Sequence, residues 1–166
     1  MTRTIGLGLG VMILMAAGAS AQGPTVTLKP TEGSIVNGTI SVATMGTGVH
    51  FTGTVTGLTP GKHGFHIHEI GDCSAPDATS AGSHFNPDKK AHGGPSSPEH
   101  HLGDLGNIEA DSTGTAKVNI HGAGLTLGAG ANSVMGRALI VHGAEDDLKT
   151  QPTGNAGARL ACGVIK

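Results

Sequence analysis

Apolar and polar residues alternate in short runs through most of this chain, and helical periodicity is almost absent after the first 21 residues. Alternation with a period of two places every second side chain on the same face of a β-strand. In one run Val49, Phe51 and Val55 fall on one face. Runs of this kind occur at 25–28, 34–43, 49–56, 64–69, 115–120, 137–142 and 160–165. The pattern predicts a single all-β domain, either a β-sandwich or a β-barrel.

Two long segments lack this alternation. Residues 70–104 have almost no strand character but carry four histidines, and residues 143–158 follow directly after His142. Long irregular loops within a compact domain are usually either functional or disordered. We expect these two segments to be ordered, functional loops.

The first 21 residues have the composition of a secretory signal peptide. Arg3 precedes an apolar run over 5–17, and Ala19-Ser20-Ala21 follows with the small residues that signal peptidase requires. The apolar run is too short to span a bilayer as a helix, although an uncleaved anchor is the alternative interpretation. We therefore expect cleavage after Ala21, a mature domain over 22–166 that is free of the membrane, and export to a periplasm or, failing that, secretion.

Charge and aromatic content argue against a nucleic-acid partner. Without Arg3 the mature chain has nine Lys and Arg residues against 12 Asp and Glu residues, a formal net charge of −3. Aromatic residues make up 2% of the chain, and Trp and Tyr are absent. The chain thus offers neither a basic surface nor aromatic platforms on which bases stack.

The only two cysteines are Cys73 and Cys162. An exported protein with an even number of cysteines usually pairs them, because a disulfide persists in an oxidising compartment. We expect one structural disulfide, with two independent buried thiols as the alternative.

The ten histidines are the strongest functional signal. In the run 64–69, Phe65 and Ile67 fall on one face of a strand, so that His66 and His68 point together to the other face. A His-x-His pair is a weak signal alone. Further candidate ligands are His84, His92, His101, Asp104 and His142. Three histidines with one aspartate suit zinc, and additional imidazoles suit copper. Seven candidates exceed the needs of one metal, which indicates two metals that share a ligand.

Five segments carry a resemblance to a known family: GFHIHE at 64–69, AGSHFNP at 81–87, HGGP at 92–95, HLGDLGN at 101–107 and GNAGARLACGV at 154–164. In this order they resemble the copper/zinc superoxide dismutases over essentially the whole mature chain. The resemblance implies an antiparallel Greek-key fold. It also implies an enzyme that converts superoxide to dioxygen and hydrogen peroxide. It implies copper ligands at His66, His68, His84 and His142. It implies zinc ligands at His84, His92, His101 and Asp104.

The resemblance also implies roles for individual residues. His84 would bridge the two metals, and Asp146 would join a copper histidine to a zinc histidine, although three adjacent acidic residues are also typical of a solvated surface. Arg159 would supply a fixed positive charge for the superoxide anion. His63 is interpreted as a structural hydrogen-bonding residue. His50, His100 and His121 are interpreted as ordinary exposed histidines.

Two departures from the animal members of the family bear on these expectations. Cys73 lies eleven residues before His84, so we expect a different layout of the disulfide loop. The segment 149–153 is short and leaves Lys149 as the remaining charge to guide substrate. A homodimer is the expected assembly. The alternatives are a related sandwich that binds metal without turnover, a zinc-only hydrolase, and a structural protein with incidental histidines.

Overall fold

A computed structural model describes residues 23–166, and within them eight β-strands form one closed antiparallel barrel. The strands are β1 Thr25–Pro30, β2 Asn37–Met45, β3 Gly48–Thr56, β4 Gly61–His68, β5 Asp104–Ala110, β6 Ala116–Ala123, β7 Ala138–His142 and β8 Arg159–Val164. Around the barrel their order is β1-β2-β3-β6-β5-β4-β7-β8. The described residues contain no α-helix, only a 3₁₀ turn at Thr79–Ala81.

The strand order is that of a Greek key. Strands β4, β5 and β6 are consecutive neighbours, and β7 then returns to lie beside β4. This confirms the predicted all-β antiparallel fold and selects the closed barrel over the open sandwich. Strand β5 was missing from the expected strands. It contains Asp104, Asn107 and Glu109, residue types that are depleted in strands, and Gly106 adopts a left-handed φ of 81°.

The barrel interior is built by the predicted alternation. Val49, Phe51 and Val55 of β3 are fully buried and lie in one large apolar cluster with Phe65 and residues from the other strands. Transfer of such side chains from water stabilises the fold by about 1.5 to 3 kcal/mol each. The apolar core therefore lies inside the barrel, and the outward faces of the strands are free for other uses.

Strands β4 and β7 differ from the others because their outward faces are also covered. Every residue of β7 is buried, and so are the last six residues of β4. The cover comes from the two irregular segments, which connect β4 to β5 and β7 to β8. Ala78 and Ala81 of the first segment pack on Ile140 of β7 in a small second apolar cluster. Buried space outside the barrel is therefore available for a polar site.

The predicted disulfide joins Cys73 to Cys162. It links the loop between β4 and β5 to strand β8 across 89 residues, with a Cα–Cα distance of 5.8 Å. Cys162 also belongs to the small outer apolar cluster. The bridge therefore ties the covering loop to the barrel wall beside β7.

The predicted signal peptide at 1–21 and Gln22 lie outside the described residues. Among residues 23–166, no helix has the length and apolar character needed to cross a membrane.

We predict that the double substitution Cys73→Ser and Cys162→Ser lowers the free energy of unfolding by about 4 to 5 kcal/mol. The chain-entropy model gives this value for a closed loop of roughly 90 residues. Urea denaturation of the metal-free protein measures the loss, and added reductant should have no further effect on the variant. A loss below about 1 kcal/mol would show that the bridge contributes little to stability.

Candidate metal centre

The outward face of β4 carries the first two histidines of the site. Phe65 and Ile67 point into the barrel core, and His66 and His68 point outward as alternation requires. Because the two loops cover this face, His66 and His68 are only 0% and 1% exposed. A buried imidazole needs either a hydrogen-bond partner or a metal at each nitrogen, so this burial already constrains what the site holds.

His66, His68, His84 and His142 form a group in which one nitrogen from each ring lies within 4.8 Å of the others. His84 lies in this group because its backbone pairs with that of His68 in an isolated β-bridge. The next residue continues this pairing, since the Phe85 amide donates to the Ile67 carbonyl at 2.8 Å. His142 arrives from the end of β7. We call these residues the four-histidine group.

His84 also belongs to a second group, with His92, His101 and Asp104, whose ligand atoms again lie within 4.8 Å of one another. The Asp104 carboxylate contacts all three histidines of this group. Its Oδ1 is 2.7 Å from His84 Nδ1 and 3.2 Å from His101 Nδ1. Its Oδ2 accepts from the His101 amide at 2.8 Å, which fixes the carboxylate plane. We call these residues the histidine-aspartate group.

Within the part of the chain that the structure describes, three buried ring nitrogens have no hydrogen-bond partner: His66 Nδ1, His84 Nε2 and His92 Nδ1. His92 Nδ1 lies 3.1 Å from Asp104 Oδ2 without forming a hydrogen bond. Leaving one buried polar atom unpaired costs about 1 to 3 kcal/mol. Metal coordination would offset this cost, and all three rings belong to the two groups. The residues therefore fit two metal ions.

Asp146 connects the two groups through a single carboxylate. Its Oδ2 lies 2.8 Å from His66 Nε2, and its Oδ1 lies 2.9 Å from His92 Nε2. When each Nε2 donates to the carboxylate, each Nδ1 keeps its lone pair for a metal. Asp146 is 1% exposed, whereas its neighbours Glu145 and Asp147 are exposed. Asp146 is thus not one of the solvated acids around it.

The surrounding backbone holds Asp146 in this position. The side chain of Asn107 on β5 bonds to both the amide and the carbonyl of Asp146, at 2.8 and 2.9 Å. Gly154 passes so close that an added Cβ would overlap Asp146 Oδ1, and its φ of 67° is left-handed. Sequence reasoning assigned no role to Asn107 or Gly154, although both lie within segments that resemble the family.

Burial and neighbouring charges shift the pKa values of four histidines in the two groups. Burial lowers the pKa of His68 to about 2, of His142 to about 3 and of His84 to about 4. Burial also acts to lower the pKa of His92, but Asp104 and Asp146 outweigh it and raise this pKa to about 9.

The two carboxyl groups are ionised. Burial acts to raise the pKa values of Asp104 and Asp146, yet hydrogen bonds from the histidines hold both below the usual range. Ionised carboxylates and neutral imidazoles are the forms that metals bind, so His92 must release a proton before it binds a metal.

Arg159 lies at the edge of the site. Its guanidinium donates to the carbonyls of Ala78 and Gly82, at 2.6 and 2.7 Å. His68 Nδ1 lies 2.9 Å from the same Gly82 carbonyl. Arg159 is therefore fixed to the disulfide-bonded loop beside one histidine of the four-histidine group.

Two clefts adjoin this region. The first, of about 360 Å³, is lined by Arg159 and by Glu32 and Asp77, but it contains no histidine of the two groups. The second, of about 280 Å³, is lined by His84 and His101. We take the second as the opening to the site, since it reaches the ring shared by both groups.

The remaining histidines lie outside both groups. His63 is buried, with Nδ1 2.9 Å from the His142 carbonyl and Nε2 2.9 Å from the Thr59 carbonyl, so it forms structural hydrogen bonds. His121 is exposed, while His50 and His100 are half-buried and contact Asn119 and Ser97 respectively.

Comparison with known proteins agrees with this geometry. The family model described as copper/zinc superoxide dismutase (SODC) matches residues 36–165. The chain is also 47% identical over 137 residues to the Cu-Zn superoxide dismutase 2 of Mesembryanthemum crystallinum, covering 78% of this chain and 86% of the relative. The chain belongs to the copper/zinc superoxide dismutase family, and it is an oxidoreductase that converts superoxide to dioxygen and hydrogen peroxide with copper and zinc as cofactors.

Proposed function

We propose that copper binds to the four-histidine group and zinc to the histidine-aspartate group. The observation that carries this assignment is the position of His84, which offers Nε2 to the first group and Nδ1 to the second. A set of nitrogen ligands alone suits copper, and three nitrogens with one carboxylate oxygen suit a closed zinc site. When bound, copper supplies the electron exchange that oxidises one superoxide and reduces a second.

The protein's own groups then orient the site and move protons. The ring of His84 fixes the spacing of the two groups, because each of its nitrogens faces one of them. His84 Nε2, which lacks a hydrogen-bond partner, is also the atom that can take up a proton and deliver it to reduced oxygen. His84 lines the cleft of about 280 Å³, so a proton donor in solution can reach its surroundings.

Asp146 is proposed to orient one ligand of each metal. Its two hydrogen bonds select which nitrogens of His66 and His92 face the metals, so both affinities depend on it. A matched carboxylate is next to it in the sequence: Glu145 is exposed and pairs with Lys62 on the surface at 3.0 Å.

We predict that Asp146→Asn weakens the binding of both copper and zinc by about 10- to 100-fold. An amide can accept from only one of the two imidazole N–H groups and places a donor against the other. Competition with a chelator of known affinity measures both constants, and Glu145→Gln serves as the control. Equal affinities in the two variants would contradict the role of Asp146.

Arg159 is proposed to attract the superoxide anion. A guanidinium stays charged at any working pH, and fixed charge near a site raises the association rate of a small anion by about 10- to 1,000-fold. Its hydrogen bonds to the Ala78 and Gly82 carbonyls hold this charge beside His68.

We predict that Arg159→Gln lowers kcat/KM for superoxide by about tenfold or more and weakens its dependence on ionic strength. Arg159→Lys keeps the charge but lacks the planar guanidinium, so its kcat/KM should fall less than that of Arg159→Gln. Pulse radiolysis over a range of salt concentrations measures the rates. Lys117→Gln removes the same charge from an exposed position on β6 and should stay within about twofold of the parent protein; an equal loss in that variant would refute a local role for Arg159.

Export and assembly are further proposals. The composition of residues 1–21 supports cleavage after Ala21 and a periplasmic or secreted mature protein. Intact-mass spectrometry of protein purified from the producing cells should give a chain that begins at Gln22, and a mass that includes Met1–Ala21 would contradict export by cleavage. The homodimer rests on the family resemblance, and sedimentation of the same sample at twice the chain mass is the result that supports it.

A further inference from the structure

The side chain of Gln151, in the loop between β7 and β8, forms two hydrogen bonds with the backbone of His92, in the loop between β4 and β5. Gln151 Nε2 donates to the His92 carbonyl at 2.9 Å, and the His92 amide donates to Gln151 Oε1 at 2.8 Å. The two residues are 59 positions apart in the sequence. One planar amide therefore pairs with both polar groups of a single backbone residue, in the manner of a strand pairing.

These are the only hydrogen bonds that the backbone of His92 makes among residues 23–166. The ring of His92 is oriented separately, through the contact of Nε2 with Asp146. Ring and backbone thus have independent supports. A metal-binding histidine needs both supports, because the position of its ring depends on the backbone from which the side chain extends as well as on the side-chain torsion angles.

Gln151 itself is supported by an ordered turn. The Asp147 carboxylate accepts from the amides of Lys149 and Thr150, at 2.9 and 2.8 Å. The Gly154 amide then donates to the Thr150 carbonyl at 2.7 Å. The second Nε2 hydrogen of Gln151 donates to the Lys149 carbonyl at 3.2 Å, so that the whole amide is paired. The short segment 149–153 is therefore rigid enough to transmit a constraint to His92.

We propose that Gln151 is a positioning residue of the zinc site, which holds the backbone of His92 so that His92 Nδ1 faces the histidine-aspartate group. The proposal rests on the assignment of zinc to that group. Because His92 is not part of the four-histidine group, the effect of Gln151 falls mainly on zinc, and copper is linked to it only indirectly, through the contact of His92 with Asp146. This selectivity separates its role from that of Asp146, which touches one histidine of each group.

The test compares four variants of the full mature chain. Gln151→Ala removes both hydrogen bonds. Gln151→Glu keeps the acceptor for the His92 amide but turns an oxygen toward the His92 and Lys149 carbonyls. Lys149→Ala is the control, since only its backbone contributes to the turn. His92→Ala tests the zinc assignment itself.

Two measurements are made on each variant. Chelator competition gives the zinc and copper affinities, and amide hydrogen exchange of His92, followed by NMR on metal-free protein, reports the backbone contact directly. We expect Gln151→Ala to weaken zinc binding by about 10- to 100-fold, leave copper binding within about twofold, and speed exchange at the His92 amide. Gln151→Glu should weaken zinc binding while it keeps part of the protection.

The outcomes distinguish a failure of the zinc assignment from a failure of the role proposed for Gln151. If His92→Ala loses zinc but Gln151→Ala binds zinc like Lys149→Ala, the role of Gln151 is wrong and the zinc assignment stands. If His92→Ala keeps its zinc affinity, the assignment fails and the inference fails with it. Equal weakening of copper and zinc by Gln151→Ala would also overturn the inference, because it would indicate general loosening of the loops.

Discussion

The two hydrogen bonds between Asp146 and the rings of His66 and His92 determine which atoms the site presents. Each bond occupies the Nε2 atom and leaves Nδ1 free and buried without a partner. A carboxylate that is itself buried is stable in this position only because donors surround it. The site is therefore one polar network, in which the two groups of ligands are oriented together.

The barrel makes such a network possible outside its own core. The apolar interior is filled by inward-facing side chains such as Phe51 and Phe65, so the outward faces of β4 and β7 are not needed for the main core. The two long loops cover these outward faces. The Cys73–Cys162 bridge holds one of the loops to β8. Long loops are costly in entropy to order, and the covalent bridge offsets part of this cost.

Much of this arrangement follows from local sequence pattern. Alternation is sufficient to place His66 and His68 on one face, and the absence of alternation is sufficient to locate both loops. Strand β5 was not predicted because Gly106 and its polar neighbours are atypical of a strand interior. In the structure these residues are held in a strand by the pairing of β5 with β4. Closure of the barrel depends on the pairing of β1 with β8, which no local pattern reports.

The contacts between the loops could not be predicted either. Asp146 and Asp147 are adjacent acids, yet one is buried and the other exposed, and only the tertiary position of Asn107 and the two histidines distinguishes them. Gln151 has no sequence signal at all, because its partner is a backbone 59 residues away. Long-range side-chain to backbone bonds of this kind arise from the folded geometry.

The most direct test of the account is superoxide dismutation by the purified mature protein, reconstituted with copper and zinc, beside a zinc-only sample and the His66→Ala variant. Metal content is determined on the same samples. We expect activity only where copper is bound, and we expect His66→Ala to retain zinc while it loses copper and activity. If both metals bind and no preparation exceeds the rate of free copper, the protein is not a dismutase. If His66→Ala keeps its copper and its activity, the proposed copper site is wrong.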